Sequence, residues 1–229
     1  DHNILKGGLT MKILAIDIGT ANIKAVIVEA KFKRFDIALH DVISVSDAWE
    51  PRNPDVLLSQ GQIAALAEIR RRYSTGIDRV VLNLPYSLYS SRFMTLPLKD
   101  KRKIQNAIKF AIEDEIPFDL DNCVLTSHIF PTKSKETNVL TGFAPVAELA
   151  AFVQSLEGIG IPVDCLMMED SALSAQFLRS KVERLNNVAI LNLGHCKSGI
   201  FFFRNGLPVM HRNTMVGGMH VTRAISERY

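Results

Sequence analysis

Short apolar runs separated by turn-forming residues dominate the start of the chain. The run KILAIDIG ends at Gly19, and IKAVIVEA follows after a short polar stretch, which predicts a β-hairpin. A third strand is predicted over residues 35–46. Residues 55–73 carry apolar side chains at helical spacing and end in an arginine-rich turn, which is favoured near the C-terminal end of a helix. An apolar run over 80–84, stopped by a proline, predicts one further strand.

The middle of the chain has a different pattern. Residues 99–115 predict an amphipathic helix that stops at a proline, and strands are predicted over 123–130 and 138–144. A helix over 147–158 follows and is closed by a glycine-rich turn. We interpret this α-β-β-α block as an insertion, because the buried-strand pattern of the first part returns directly after it.

The last part returns to the pattern of the first. A strand over 161–167 leads into a helix over 170–185, and a second hairpin begins near residue 188. A third strand over 207–212 follows a turn formed by an asparagine and a glycine. The chain then enters a helix after Gly217 and Gly218.

Two short strings, IDIG at 16–19 and LNLG at 191–194, each end one apolar strand and precede another. A glycine turn lets backbone N–H groups face an anion without interference from a Cβ, and a carboxylate at the strand end can hold Mg²⁺ or its water. Each string alone is typical of any strand that ends in a turn. The pair indicates two similar half-domains whose turns could bind a polyphosphate.

The composition is that of a folded protein with one large or two modest domains. Of the 229 residues, 47% are hydrophobic and 22% are charged, and the net charge is +3. Basic residues are scattered, and the densest cluster is too short to indicate a nucleic-acid groove. That cluster lies at a predicted helix start and consists of Lys99, Lys101, Arg102 and Lys103.

Cysteine usage and hydropathy favour a cytoplasmic location. Cys123, Cys165 and Cys196 are odd in number and widely spaced, which indicates neither a disulfide framework nor a zinc site. No apolar run approaches the roughly 20 residues of a membrane span, and no signal peptide is visible. Residues 1–10 precede a clean strand pattern, and we interpret them as an added tag.

Several segments, taken together and in order, resemble the actin, sugar-kinase and heat-shock-protein-70 superfamily. DIGTANIKAV and LNLGHCKSGI resemble its first and second phosphate motifs. Within the superfamily, the chain most resembles the PilM family of type IV pilus assembly proteins, and next the cytoplasmic part of the secretion protein GspL. The segments that carry this narrower resemblance are VVLNLPYSLYSSRFMTLP, EDEIPFDLDN, the stretch 138–170 and VGGMHVTRAI.

The resemblance implies an α/β, actin-like (ribonuclease H-like) fold with an inserted small α/β subdomain. It further implies that the second lobe is incomplete here, because the chain ends before the second connecting segment and the adenosine motif. The implied domains are a first lobe over 11–84 and 161–186, an inserted subdomain over 85–160, and the start of a second lobe over 187–229.

The resemblance also implies a site for ATP and Mg²⁺ made by two glycine turns and a glycine pair. Asp17 would reach Mg²⁺ indirectly, and Glu169 would match the acidic connecting position, although a carboxylate at a helix N-terminus is equally expected to interact with the helix dipole. The implied nucleotide-binding residues are Asp17, Gly19, Thr20, Ala21, Lys24, Asn192, Gly194, His195, Cys196, Gly217 and Gly218.

Two positions depart from the family pattern. Asn192 stands where the second motif usually has aspartate, and Ala21 stands where the first motif often has serine. An amide cannot act as a carboxylate base, so nucleotide binding is expected to exceed hydrolysis.

The implied function is a cytoplasmic scaffold for type IV pilus or type II secretion assembly. It would dock the N-terminal peptide of a PilN-like inner-membrane protein and reach the membrane only through partners, without contacting nucleic acid. The alternatives are an FtsA-like cell-division filament protein and an active ATPase or kinase of the same superfamily. A carboxylate placed to activate water or a hydroxyl would distinguish the enzyme from the scaffold.

Overall fold

The computed structural model describes residues 10–32, 34–51, 53, 55–73, 75–113, 119–130, 135–180 and 186–228. The chain divides into two compact units. The first unit takes in residues 1–83 and 151–167, and the second takes in residues 84–150 and 168–229. The domain boundaries expected from the sequence stay a prediction.

A five-stranded mixed sheet forms the centre of the first unit. Its strand order is β3-β2-β1-β4-β8, with β1–β2 and β2–β3 antiparallel and β4 parallel to both β1 and β8. The two strands predicted on either side of the insertion, β4 and β8, are therefore hydrogen-bonded neighbours. The elements of this unit are β1 (Met11–Ile18), β2 (Asn22–Lys31), β3 (Arg34–Ser44), α1 (Gln60–Arg72), β4 (Arg79–Asn83) and β8 (Cys165–Met167).

One face of this sheet forms a core with α1. Alternate side chains of β1, Leu14, Ile16 and Ile18, are buried, as are Leu66 and Ile69 of α1. Burying each of these aliphatic side chains stabilises the fold by about 1.5–3 kcal/mol. The edge strand β3 is exposed along most of its length, and its pairing with β2 shifts register by one residue, a bulge that discourages pairing with another chain.

Helix α1 begins later than its apolar spacing predicts. The prediction of a helix over 55–73 is wrong at its start, because the helix begins at Gln60 after the N-cap Ser59. Ser59 Oγ accepts from the Gln62 amide at 3.2 Å, and Gln62 Oε1 accepts from the Ser59 amide at 3.0 Å. This reciprocal capping box fixes the first turn.

The second unit contains two three-stranded sheets. In one, with strand order β5-β7-β6, helix α2 packs Ile104, Ile108 and Ile112 against Val139 and Phe143. The elements of this part are β5 (Ser90–Leu96), α2 (Lys101–Glu113), β6 (Cys123–Phe130) and β7 (Thr137–Pro145). Helix α3 (Val146–Gly158) follows β7, and most of its residues belong to the first unit. Strand β5 was not predicted, because its first residues, Ser-Ser-Arg, lack the apolar alternation of a half-buried strand.

The other sheet has strand order β11-β10-β9 and packs against α4. Phe177 of α4 stacks on Phe203 of β10 with ring centroids 3.8 Å apart, and Phe201 is buried beside them. The sequence FFF is thus a buried strand. The elements are α4 (Glu169–Arg179), β9 (Asn187–Leu193), β10 (Ser198–Arg204), β11 (Leu207–Thr214) and α5 (Gly218–Ser226).

Two other predicted boundaries differ in the structure, and a hydrogen bond accounts for each difference. Of the strand predicted over 161–167, only the last three residues are β8, because Asp164 turns back to bond with the Val80 amide at 2.8 Å. Helix α4 ends at Arg179, earlier than predicted, because the Ser180 hydroxyl donates to the Phe177 carbonyl at 2.7 Å and its backbone turns extended. Residues 1–9, 114–118 and 181–185, which include most of the interpreted tag and two predicted helix ends, lie outside the described residues.

No helix in the described part of the chain is long and apolar enough to span a bilayer.

Candidate functional site

The turn between β1 and β2 requires a glycine. A Cβ on Gly19 would lie 2.4 Å from the carbonyl oxygen of Asn22, a distance that only a moved backbone would relieve. The carbonyl of Ala21 accepts from the Val45 amide at 2.8 Å, which holds the other side of the turn. Thr20 and Ala21 therefore lie in a backbone loop of fixed shape.

Asp17 and Lys24 face each other across this hairpin. They are register partners, and Lys24 Nζ lies 2.9 Å from Asp17 Oδ2. Their side chains are 50% and 56% exposed, so water screens the pair and its contribution to stability is small. The structure thus brings together the carboxylate and the lysine that the resemblance assigns to the first turn.

Two residues that sequence reasoning missed support the first turn. Gln62 is buried at the start of α1, and its Nε2 donates to the Gly19 carbonyl at 2.9 Å. Asn83, at the end of β4, accepts from the Ile18 amide at 2.6 Å. The capping pattern Ser-x-x-Gln could have pointed to Gln62, whereas the contact of Asn83 depends on the parallel pairing of β1 with β4.

The turn between β9 and β10 repeats the geometry of the first. Ile18 pairs with Ile23 in the first hairpin and Leu193 pairs with Ser198 in the second, so the two loops have equal length. A Cβ on Gly194 would lie 2.6 Å from the carbonyl oxygen of Lys197, three residues later. A Cβ on Gly19 would likewise meet the carbonyl oxygen of Asn22, three residues later, at 2.4 Å. The internal similarity visible in the sequence is therefore also a similarity of backbone geometry.

A polar cluster fixes the second turn to α4. Asn192 Nδ2 donates to Glu169 Oε1, and Lys197 Nζ lies 2.7 Å from Glu169 Oε2. The Lys197 ammonium also lies 4.3 Å from the centroid of the Tyr86 ring, within the range of a cation–π contact. Glu169 thus places a negative charge beside Asn192, whose own side chain is neutral. Lys197, which sequence reasoning missed, balances the charge.

The glycine pair packs against the second turn. The Gly218 amide donates to the Gly194 carbonyl and the Met219 amide to the His195 carbonyl, both at 2.9 Å. A Cβ on Gly217 would lie 2.5 Å from the His195 oxygen, so this position also requires glycine. The pair therefore shapes the second turn through its backbone, and Gly194, His195, Gly217 and Gly218 form one assembly with the start of α5.

A buried ion pair lies next to this cluster. Asp170, which follows Glu169 in α4, is fully buried and pairs with His211 of β11, whose ring stacks on Phe201 at 4.5 Å. Burial by itself lowers the pKa of His211, but the Asp170 carboxylate outweighs it, and the net pKa is raised. Burial and then the charges of Asp170 and Glu169 raise the pKa of Tyr89, which is therefore neutral at physiological pH.

The same unit contains a groove of about 670 Å³ between two edge strands. One wall is β5, with Arg92, and the segment that leads into it, with Tyr86 and Tyr89. The other wall is β11, with Met210 and His211. An edge strand presents backbone N–H and C=O groups that can pair with an extended peptide. The groove therefore has the geometry of a peptide-docking surface.

Each of the two turns, taken within its own unit, has a backbone geometry that suits a phosphate. Gly19 and Gly194 each keep a tight turn clear of a Cβ, which is the arrangement that lets backbone N–H groups approach an anion. Asp17 and Glu169 are the carboxylates that could reach Mg²⁺ or its water, each beside a lysine. Among the described residues, no three His, Cys, Asp or Glu side chains gather as a metal-binding group. Any Mg²⁺ bound here would therefore need ligands from the phosphates or water.

Comparison with known proteins gives a family and several similar structures. A family model described as type IV pilus assembly protein PilM matches residues 15–229. A solved PilM-PilN type IV pilus biogenesis complex is similar, with a TM-score of 0.70 and 20% identity, over 95% of this chain and 65% of that chain. The chain therefore spans about two thirds of that protein's length. No curated protein matches.

Two further structures share the fold at lower similarity. The cytoplasmic domain of EpsL, an inner membrane component of the type II secretion system of Vibrio cholerae, has a TM-score of 0.52 at 15% identity, over 89% of this chain and 71% of that chain. A Bacteroides thetaiotaomicron protein with an actin-like ATPase fold has a TM-score of 0.52 at 11% identity, over 95% and 75%. The predicted actin-like α/β fold is confirmed.

Proposed function

The chain belongs to the PilM family of type IV pilus assembly proteins, and we propose that it works as a nucleotide-binding scaffold in a pilus or related secretion machine. The observation that supports nucleotide binding is the repeated turn, in which the two loops have equal length and a Cβ on Gly19 or Gly194 would meet the carbonyl oxygen three residues later. Such paired turns suit the phosphates of ATP with Mg²⁺. The proposed location is the cytoplasm, at the inner face of the inner membrane through partners.

The proposed role of bound nucleotide is structural. ATP with Mg²⁺ would supply the negative charge that organises the turns, and residues of this chain would orient it. Thr20, Ala21, His195 and Cys196 occupy the two loops, Lys24 and Lys197 carry positive charge, and Asp17 and Glu169 can face the metal. None of these contacts requires hydrolysis.

Titration calorimetry with ATP and Mg²⁺, on the protein expressed from its complete gene, tests nucleotide binding. We expect saturable binding that Gly19→Ala and Gly194→Ala each weaken, since each added Cβ enters its turn. Gly158→Ala is the matched control, because a Cβ at the end of α3 meets no atom within 4 Å. An intact protein that shows no affinity for ATP would refute the nucleotide-binding part of the proposal.

The second part of the proposal is peptide docking. The partner is the N-terminal cytoplasmic peptide of a PilN-like inner-membrane protein, and the groove between β5 and β11 has the form that an extended peptide needs. Other pilus or secretion assembly proteins would then be gathered through that partner.

A matched pair of methionine variants tests the docking. Met210 lines the groove with 38% of its surface exposed, so Met210→Glu places a charge in the groove without disturbing the core. Met215, 56% exposed and outside the groove lining, provides the control Met215→Glu. We expect the cognate peptide to bind the parent and the control and to lose at least about tenfold affinity for Met210→Glu. Equal affinity for all three proteins would place the peptide elsewhere.

A second candidate function is ATP hydrolysis, and the Glu169 carboxylate beside Asn192 is the observation that favours it. A carboxylate there could orient water, although Lys197 holds one of its oxygens. Single-turnover assays with Glu169→Gln and Asn192→Asp distinguish the two functions. Slow hydrolysis by the parent, with ATP still bound, supports the scaffold. Rapid hydrolysis that Glu169→Gln abolishes supports the enzyme.

A further inference from the structure

We propose that Lys197 is a phosphate-binding residue of the second turn and that Glu169 competes with phosphate for its ammonium group. The inference rests on the nucleotide-binding function proposed above and deepens it. Lys197 lies within the string LNLGHCKSGI, but the resemblance assigns a role there only to other residues. Its assignment comes from three contacts that this residue makes, one through its backbone and two through its side chain.

The first contact makes Lys197 part of the turn itself. Its carbonyl accepts from the Gly194 amide at 2.9 Å, closing the loop that would surround an anion. The side chain therefore starts from a fixed backbone position at the edge of the loop. In the first hairpin the residue at the equivalent register position is Asn22, and the lysine stands two residues further on, as Lys24.

The second contact is the ion pair with Glu169. The two side chains are 13% and 22% exposed, whereas those of Lys24 and Asp17 are 56% and 50% exposed. Shielding from water strengthens an electrostatic interaction, so the attraction between Lys197 and Glu169 is less screened than that between Lys24 and Asp17. Since Asn192 is neutral, the pair leaves the second turn without net charge. A phosphate there gains a cation only if Lys197 leaves Glu169.

The third contact keeps the ammonium group near the turn. The Tyr86 ring lies 4.3 Å from Lys197 Nζ and offers a cation–π contact that does not depend on Glu169. A charged phosphate oxygen is a strong acceptor for an ammonium donor, and the dianionic terminal phosphate carries more charge than a carboxylate. Lys197 can therefore exchange from Glu169 to phosphate with a short movement.

Exchange and a purely structural ion pair predict different signs for two variants. Under exchange, Lys197→Gln weakens phosphate binding and Glu169→Gln strengthens it, because the competing carboxylate is gone. Under a structural role, either variant loosens α4 from the turn, so both weaken binding or neither does. The opposite signs exclude a purely structural ion pair, and the Lys197 ammonium signal described below separates direct contact with phosphate from a general effect of charge.

The experiment is calorimetric titration of inorganic tripolyphosphate without metal into the parent, Lys197→Gln, Glu169→Gln and the control Lys109→Gln. Lys109 is exposed on α2, far along the chain from either turn. We expect about tenfold weaker binding for Lys197→Gln, several-fold tighter binding for Glu169→Gln and no change for the control. Thermal melts without ligand show whether each variant folds.

Lysine ammonium NMR gives a readout independent of affinity. In a ¹H–¹⁵N correlation spectrum of the lysine side chains, the Lys197 signal should shift on addition of tripolyphosphate while the Lys109 signal stays in place. Two outcomes overturn the assignment of Lys197 alone. In one, Lys197→Gln binds tripolyphosphate as well as the parent does. In the other, Lys197→Gln and Glu169→Gln weaken binding to the same extent. Parent protein that does not bind tripolyphosphate overturns the assignment of Lys197, whereas the proposed function is decided separately by the titration with ATP and Mg²⁺.

Discussion

His211 Nδ1 lies 2.9 Å from Oδ1 of Asp170, a carboxylate that is wholly buried. His211 Nε2 lies 2.8 Å from Asn213 Oδ1, so both ring nitrogens face an acceptor oxygen and the doubly protonated imidazolium satisfies both. Burial and the charge of Lys197 oppose protonation, but Asp170 prevails and raises the pKa of His211 above 6.5. The folded state therefore binds a proton more tightly than the unfolded chain.

Stability should consequently fall as the pH rises through the raised pKa of His211. The contribution is fully present below the unfolded-state pKa of about 6.5 and is lost at higher pH. Removing the cation leaves the Asp170 carboxylate buried without a compensating charge, so His211→Gln should cost about 3 kcal/mol at pH 6 and less at pH 9. Denaturant titrations at both pH values measure the difference. His40→Gln, on the exposed strand β3, is the control, and a pH-independent difference for His211→Gln would contradict the prediction.

The glycines of the two turns should resist substitution more than other glycines. Gly19→Ala and Gly194→Ala each place a Cβ within 2.6 Å of a backbone oxygen, and each should lower the free energy of unfolding by about 1–3 kcal/mol. Gly158→Ala should be neutral or slightly stabilising, because its Cβ meets open space and alanine favours helix. Urea titration of the three variants gives the comparison. Equal stability of all three would mean that the turns adapt.

Gln62 should matter through one amide group. Gln62→Glu keeps an oxygen for the capping box but replaces the Nε2 donor to the Gly19 carbonyl, which is then left facing a carboxylate. The expected loss is about 1–3 kcal/mol in the free energy of unfolding, together with faster amide exchange in the first turn. Gln105→Glu on the exposed face of α2 controls for the added charge. Indistinguishable exchange rates in the two variants would argue against this support.

Asn192→Asp should create a metal-responsive pair of carboxylates. The new carboxylate would face Glu169, and two negative charges in contact repel each other unless a cation joins them. Without Mg²⁺ the variant should melt below the parent, and Mg²⁺ should restore several degrees to the variant while leaving the parent nearly unchanged. Differential scanning fluorimetry with and without Mg²⁺ tests this. A variant that melts like the parent in both conditions would show that position 192 does not face Glu169.

The hairpins could be predicted from the sequence because their causes are local. In each hairpin an apolar strand ends at a glycine, Gly19 or Gly194, and a second apolar strand begins after the same number of residues. This local spacing determines how the two strands of each hairpin pair. Strand β5 could not be predicted, because Ser90 and Ser91 are extended through pairing with β7. This pairing joins residues far apart in the chain and is not visible in the alternation of apolar and polar side chains. The late start of α1 was in principle visible, since Ser59 and Gln62 form a local capping pattern.

The candidate site was only half visible for the same reason. The turn residues follow from short motifs, but their supports are far apart in the chain: Gln62 contacts Gly19, and Glu169 contacts Asn192 and Lys197. No spacing rule relates such positions, because the tertiary fold brings them together. Their assignment therefore required coordinates.

The two turns differ in which substitutions can remove the hydrogen bond to their glycine carbonyl. The Gly19 carbonyl depends on the side chain of Gln62, so a single codon change can remove its donor. The Gly194 carbonyl is bound by the Gly218 amide, and a Cβ at 218 would lie an ordinary 3.8 Å from the Gly194 oxygen, so nearly every amino acid except proline would keep that bond. A substitution at position 62 can therefore remove the donor to the first turn, whereas substitution at position 218 keeps the donor to the second turn. The sensitive position beside the second turn is Gly217, where an added Cβ would lie 2.5 Å from the His195 oxygen.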